Sequence, residues 1–407
     1  MRICVFSIVN YWQGANGGME IHGQLLSRGL VNEGHHVSII STKHPDGKET
    51  EEQQSIKIYN LPNTVFGSRR NQWIRESVRK FYELHRQDPF DVIWSQSFAA
   101  YGLASSSRLN LTIPIIPILH GCIHQEFNSF KTNLFGGHLA PFSLLKIFAG
   151  LFYSYCMQQK PLLSISDRII TVSQELVNDL KRWYGERIAT KTVPVFNGID
   201  PEVFRPDPQA RNTIRTKFQI QDNEILLMTS GALNKEKGHH LAIESMLYLQ
   251  REVPNTKLMI VGSGEFRPLL ERQVQENGLQ ESIIFTGFIP NHEMVKYYNA
   301  ADIYLMPTLR IEGLPFVLLE AMSCAKPVVA THIGGNTSII KDGENGFLIE
   351  PTNIQQLRHY IMLILKDDKI KNKLSNSARE TVINDFTIDK MVYQTVGLMN
   401  ETIDSYK

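Results

Sequence analysis

The 407-residue chain carries 42 Lys and Arg against 41 Asp and Glu, a formal net charge of +1, so no global field argues for nucleic acid. Its length suffices for two cores of ordinary domain size. Four scattered cysteines, Cys4, Cys122, Cys156 and Cys324, show neither metal-ligand spacing nor a disulfide framework, and no apolar run reaches the roughly 18 residues of a membrane span, so a cytoplasmic protein without a metal site is expected. The opening apolar stretch, Ile3–Val9, is too short for a signal segment and reads instead as a buried strand.

Along the first half, β and α patterns alternate. After Ile3–Val9 come the glycine-bearing loop Gly14-Ala15-Asn16-Gly17-Gly18 and a helical pattern from Met19 to Glu33, ending at Gly34. Strand, glycine turn and helix form a phosphate cradle in many proteins, and in many others a plain packing turn. Val37–Ser41 is a second strand, residues 43–70 read as polar loop with a strand at Ile56–Tyr59, and Asn71–Arg86 is an amphipathic helix with Trp73, Val78, Phe81 and Leu84 on one face. Val92–Ser95 and Ile113–Leu119 are further strands, and the second delivers His120-Gly121 to its carboxyl end. A histidine there is placed to hydrogen-bond a substrate; the alternative is a satisfied loop imidazole. His22 could approach the site but reads first as a surface or packing histidine.

Residues 127–165 depart from this pattern. Phe142, Leu145, Ile147, Phe148, Leu151, Phe152 and Tyr155 make an apolar face of helix length beside Lys131, Lys146 and Lys160. Two readings stay open: a helix buried under the domain, or an amphipathic surface for peripheral contact with a membrane or a lipid-linked acceptor. Asp167–Ser173 then reads as strand and cap, Gln174–Trp183 as helix, and Thr192–Asp200, with the tight turn Asn197-Gly198, as the hinge to a second domain.

The second half restarts with strand Ile225–Thr229, which leads into Ser230-Gly231-Ala232-Leu233-Asn234-Lys235-Glu236-Lys237-Gly238 before a helix. Lys237 at that place can neutralise charge building on a departing diphosphate, although most loop lysines are merely solvated. Lys257–Val261 and Ile283–Phe288 are the next strands, and Gly262-Ser263-Gly264 lacks the dinucleotide spacing, which disfavours a nicotinamide site. Strand Ile303–Met306 is broken by Pro307-Thr308, so Glu312-Gly313 follows at its carboxyl end, where open α/β sheets bind ligands. Pro315 suits the first turn of the helix Phe316–Met322, whose positive end faces the same place. Glu312 and Glu320 would stand roughly 12 Å apart along a helix axis. Glycosidase carboxyl pairs stand about 5–9.5 Å apart across one bond, so this pair reads as gripping two separated groups of one extended ligand. Strand Val328–Ala330 and the Gly334-Gly335 turn before Asn336 offer a second phosphate-facing helix start. The bland alternative is an ordinary βαβ unit with solvated acids. Beyond Gly346-Phe347 the pattern is helical to the end.

The spacing Glu312-x7-Glu320, with Glu-Gly at its start and Glu-Ala-Met at its end, resembles the signature of family-four retaining glycosyltransferases, and the similarity runs through nearly the whole chain. The resemblance implies an α/β GT-B fold, two Rossmann-like domains with parallel sheets facing across a cleft. Residues 1–198 would form an acceptor-side domain, 199–385 a nucleotide-sugar-binding domain, and 386–407 a helix returning to the first domain. It also implies roles: Gly17 and Gly18 close over the donor diphosphate, His120 contacts the transferred sugar, and Gly231, Leu233, Lys237 and Gly238 match the segment that holds the leaving group. By the same resemblance Glu312 orients the sugar, Glu320 takes the ribose hydroxyls, and Gly313, Leu314, Pro315, Phe316 and Phe288 complete the donor site, the strand before Phe288 lying against the nucleobase.

The sequence departs from that family in three places. Ala232 replaces the arginine that accompanies the lysine, for which Arg310 or Lys235 could stand in, Arg310 being preferred; Pro315 replaces a frequent glycine and removes an N–H; Ser338 stands where Glu is common. The expected activity is transfer of a sugar, with retention, from a nucleoside diphosphate to a glycan or lipid-linked acceptor, without a cofactor or metal and without a nucleic-acid partner. The protein would work in the cytoplasm or peripherally at the inner face of a membrane. Two rivals are a sugar-nucleotide epimerase of the same fold and an inactive sugar-nucleotide-binding partner subunit.

Overall fold

The computed structural model describes residues 1–13, 17–69, 71–105, 111–122, 125 and 149–406. Most of the apolar segment 127–165, and Gly14 to Asn16 of the first glycine loop, therefore lie outside the described residues. The described residues of Met1–Phe127, Leu139–Gly198 and Ile388–Lys407 make one compact unit, and Ile199–Thr387 make another.

In the first unit the strands are β1 (Arg2–Phe6), β2 (His36–Thr42), β3 (Thr50–Gln53), β4 (Ile56–Leu61), β5 (Val92–Gln96), β6 (Ile115–Leu119), β7 (Ile169–Thr171) and β8 (Thr192–Pro194). They lie in the order β3-β4-β2-β1-β5-β6-β7-β8. All described pairs are parallel except the hairpin β3–β4. Side chains alternate between faces along each strand. Cys4 and Phe6 enter one core with Trp73, Phe81 and Leu180, while Ile3 and Val5 enter another with Leu26, Trp94 and Met391. Burial on both faces is why β1 is an unbroken apolar run. The helix Ile388–Asp404 packs on the helix Gly18–Asn32 and so covers the second of these cores.

The second unit holds β9 (Ile225–Ser230), β10 (Thr256–Val261), β11 (Ile283–Gly287), β12 (Ile303–Met306), β13 (Val328–Thr331) and β14 (Phe347–Ile349), all parallel, in the order β11-β10-β9-β12-β13-β14. Renumbered from β9, this is the doubly wound order 3-2-1-4-5-6. The strand order reverses between β9 and β12. Ligands of such sheets bind outside the carboxyl ends of those two strands. Ile303 and Leu305 join the core under the helix His239–Glu252, whereas Tyr304 turns to the opposite face.

Four local expectations are corrected. Residues 43–70 contain the strand β3 as well as β4; its sequence, Thr-Glu-Glu-Gln, has no apolar alternation because it is a short edge strand paired on one side only. Thr192–Asp200 begins with β8 before the chain crosses to Ile199. The chain beyond Gly346 is not helical throughout, since Phe347–Ile349 pairs with β13. The Gly334-Gly335 turn serves packing: Gly335 donates its N–H to the Glu312 carbonyl at 2.9 Å, and a Cβ on Gly335 would lie 1.8 Å from the Gly313 carbonyl oxygen. The helix after it, Asn336–Ile339, is one turn long, and its first amides bond to Ile333, Gly334 and Gly335. That turn therefore buttresses the Glu312 loop, and among the described residues only the Gly334 amide of the glycine pair is left without an acceptor.

Candidate active site

The site is built from the two loops at the switch point of the second unit. Gly238 has φ +71°, and a Cβ there would come within 1.8 Å of the Pro307 carbonyl oxygen. Only glycine lets the loop after β9 press so closely on the loop after β12. The Leu309 amide donates to the Glu236 carbonyl at 2.7 Å, and the Thr308 hydroxyl donates to the same oxygen at 3.2 Å. Asn234 caps the intervening turn by accepting from the Lys237 amide at 3.0 Å. With the loops locked, Lys237 Nζ stands 2.6 Å from Glu312 Oε1, at side-chain exposures of 21% and 16%. A partly screened ammonium and a carboxylate, 75 positions apart in sequence, thus meet at the carboxyl ends of β9 and β12.

Behind Glu312 the chain enters the helix Phe316–Ser323. Pro315 is the residue just before the first turn, its carbonyl accepting from the Leu318 and Leu319 amides. Among the described residues the Phe316 and Val317 amides have no acceptor, which leaves the positive helix end open toward the switch point. Leu314 and Phe316 are 4% and 5% exposed, and Gly313 is half-buried, its carbonyl covered by Gly335. Glu320, one turn inside the helix, is 2% exposed and accepts a 2.7 Å hydrogen bond from Tyr298. Burial pushes its carboxyl up to about 7, against the lowering effect of that bond. Tyr304 lies within the electrostatic reach of both Glu320 and Glu312, so the two carboxylates share one neighbourhood.

Gly231, at the end of β9, is half-buried, and its amide bonds to Val261. Ala232 is exposed, Lys235 half-buried, and Arg310 exposed on the loop before Glu312. Phe288 follows the edge strand β11 with 53% of its surface exposed, an aromatic face open to solvent.

Gly17, Gly18 and His120 belong to the other unit. Gly17 precedes the helix Gly18–Asn32, and the Glu20 carboxylate folds back so that a Cβ on Gly17 would meet it at 2.3 Å. An anion entering there has to displace that carboxylate. His120 follows β6, 3.2 Å from the Gln96 amide nitrogen, and its ring meets the buried His22 edge-on with centroids 4.6 Å apart. Burial holds His120 down at about 4, so it is a neutral hydrogen-bonding imidazole. Nothing in the sequence singled out Tyr298 or Gln96, and His22, which could approach the site, reads there first as a surface or packing histidine. The pair Tyr297-Tyr298, on the buried side of the amphipathic helix Asn291–Ala300, was the available signal, because a buried phenol needs a partner.

The sequence profile of the glycosyl transferases group 1 matches residues 210–381, and that of glycosyltransferase family 4 matches residues 16–203. An uncharacterized glycosyltransferase of Methanocaldococcus jannaschii is 26% identical over 390 residues, 94% of each chain. Alpha-monoglucosyldiacylglycerol synthase of Streptococcus pneumoniae is 28% identical over 81% of this chain and 71% of that protein. The crystal structure of HepE of Anabaena, in complex with UDP and glucose, superposes with a TM-score of 0.76 at 20% identity, over 98% of this chain and all of that one. The chain belongs to the family-four glycosyltransferases of GT-B fold and is a glycosyltransferase.

Proposed function

We propose that this enzyme moves a sugar from a nucleoside diphosphate to a hydroxyl of a glycan or lipid-linked acceptor, with retention of the anomeric configuration. The observation that carries the reading is the Lys237–Glu312 pair at the switch point, a cation and an anion joined in the place where a sugar diphosphate needs one of each. The UDP and glucose of the HepE complex support such a donor, and the glycolipid named for the pneumococcal relative supports such an acceptor.

In the proposed reaction the bond from the sugar anomeric carbon to the diphosphate breaks with its electron pair, and the acceptor oxygen bonds from the same face through an oxocarbenium-like state. A diphosphate oxygen takes the acceptor's proton. Lys237 and the open amides of Phe316 and Val317 hold the charge that develops on the leaving group, with Arg310 available in place of the arginine absent at Ala232. Gly231 and Gly313 let the donor approach the backbone, with Leu314, Pro315 and Phe316 walling the sugar. Glu312, released from Lys237, orients the sugar hydroxyls, Glu320 takes the ribose and Phe288 stacks on the base. Because the lysine supplies the positive charge, turnover should persist in excess chelator. Nuclear magnetic resonance of the freshly formed product tests retention; an inverted anomer excludes this route.

Among the described residues no helix is long and apolar enough to cross a membrane. Phe152, Tyr153 and Met157 are nevertheless 70%, 48% and 56% exposed, and Tyr155 donates to the carbonyl of Trp183, itself 42% exposed. Lys160, Lys181 and Arg182 are exposed as well. Aromatic and basic residues so mixed favour contact of Phe152 to Lys160 with the anionic inner face of a membrane, while Gln159, Leu162 and Leu163 turn into the core. The four cysteines are free thiols, in keeping with a cytoplasmic setting.

A further inference from the structure

Behind the carboxylate of Glu320 lie the hydroxyls of Tyr298, Tyr304 and Ser230, which the transfer chemistry leaves unused. Tyr298, fully buried on the helix Asn291–Ala300, donates its phenol to Glu320 Oε2. Its ring meets that of Tyr304 edge-on, with centroids 5.6 Å apart, and the Tyr304 hydroxyl stands 2.8 Å from Ser230 Oγ at the end of β9. A helix and two central strands thus converge on the back of one side chain. A phenol has a single proton to donate, so the bond to Oε2 fixes both the plane of the carboxyl and the oxygen left for a ligand.

We propose that Tyr298 is a positioning residue for the donor nucleotide: its hydroxyl holds the Glu320 carboxylate in the orientation and acceptor-only state that take two neighbouring ribose hydroxyls. The inference rests on the donor reading given above and adds to it the group that makes the ribose contact work. Two vicinal hydroxyls that both donate need an acceptor with no proton of its own, and a buried carboxyl reverts to the acid unless something donates to it. The titratable groups facing Glu320 are Tyr298 from its helix, Tyr304 from β12 and Cys324 from the end of Glu320's own helix. Burial pushes all three upward, so each is neutral near pH 7 and none supplies the positive charge that would otherwise keep a buried carboxylate ionised. The phenol is the donor in contact with the carboxylate.

Calorimetric titration of the full chain with UDP, GDP and ADP, across about pH 6 to 9, tests this. Affinity of the wild type should fall as pH drops through the Glu320 midpoint. Tyr298→Phe should bind roughly tenfold more weakly at pH 7, with its midpoint moved to higher pH, while kcat at saturating donor stays within about twofold. In a Glu320→Gln background the same change should have no effect on affinity. Tyr304→Phe, which removes a hydroxyl of the same core without touching the carboxyl, should keep the wild-type midpoint and so separates positioning from packing. A Tyr298→Phe protein with the wild-type affinity and midpoint, or a loss undiminished in the Glu320→Gln background, overturns the inference and leaves the donor reading standing. Wild-type protein that binds none of the three nucleotides overturns both.

Discussion

Lys237 and Glu312 face each other at 2.6 Å, so removing either leaves the other's charge partly buried beside an empty place. Lys237→Ala should lower kcat by about 10²–10³-fold with a smaller effect on donor affinity, because the charge it meets develops on the leaving group. Glu320→Ala should do the reverse, weakening the donor while sparing turnover at saturation. Equal activity in both variants would contradict the assignment. Glu320 also makes a prediction about stability. Its carboxyl titrates near 7 in the fold against 4.5 as its ordinary value, so the unfolded chain holds fewer protons between those limits and stability falls as pH rises through that window. Glu320→Gln should therefore stabilise the unliganded protein at pH 8 by on the order of 3 kcal/mol, and by much less at pH 4. Thermal melts at the two pH values measure this; equal gains at both would mean the carboxyl is not perturbed. The residues that carry this chemistry were partly legible. Lys237 and Glu312 stand out by position after strands and Glu320 by its spacing from Glu312, whereas Tyr298 sits on a half-polar helix and meets a partner 22 positions away.

At the scale of elements, the central strands were readable because both their faces are buried. Ile3–Val9, Ile225–Thr229 and Ile303–Met306 are apolar runs for that reason. The strands that escaped, β3, β8 and β14, are three or four residues long and lie at or beside sheet edges, where neither length nor alternation marks them. Turn glycines were legible as glycines and not as to purpose. Gly334-Gly335 looks like a phosphate turn in sequence, and only the 1.8 Å approach of an added Cβ to the Gly313 carbonyl shows that it buttresses a loop. Gly238 carries the same lesson with a sharper consequence. Gly238→Ala combines a left-handed backbone with a clash against Pro307, and should cost at least about 2 kcal/mol in chemical denaturation. It should also separate Lys237 from Glu312 and lower activity. A variant of unchanged stability would show that the two loops are not pressed together.

For the whole molecule, alternating strands and helices announced parallel sheets covered on both sides, the family resemblance implied two Rossmann-like domains, and the 3-2-1-4-5-6 order of the second unit puts its switch point beside Lys237 and Glu312. Less legible was how the chain leaves and re-enters its first unit. It crosses at Ile199 and returns after Thr387, and these two residues form a parallel bridge that no sequence pattern signals. The exposed aromatic patch near Trp183 makes a prediction at this scale: the intact protein should sediment with anionic phosphatidylglycerol vesicles, and Phe152→Ser with Met157→Ser should abolish most of that binding. Binding unchanged by the pair would place the contact elsewhere. In the proposed reaction an activated sugar is held at the ends of β9 and β12. Mass spectrometry of the full chain incubated with a panel of nucleotide sugars tests that most directly. At least one should bind and be slowly hydrolysed to free nucleoside diphosphate, at a rate cut by Lys237→Ala; a panel in which none binds or is cleaved, or a Lys237→Ala protein that cleaves as fast as the wild type, would contradict it.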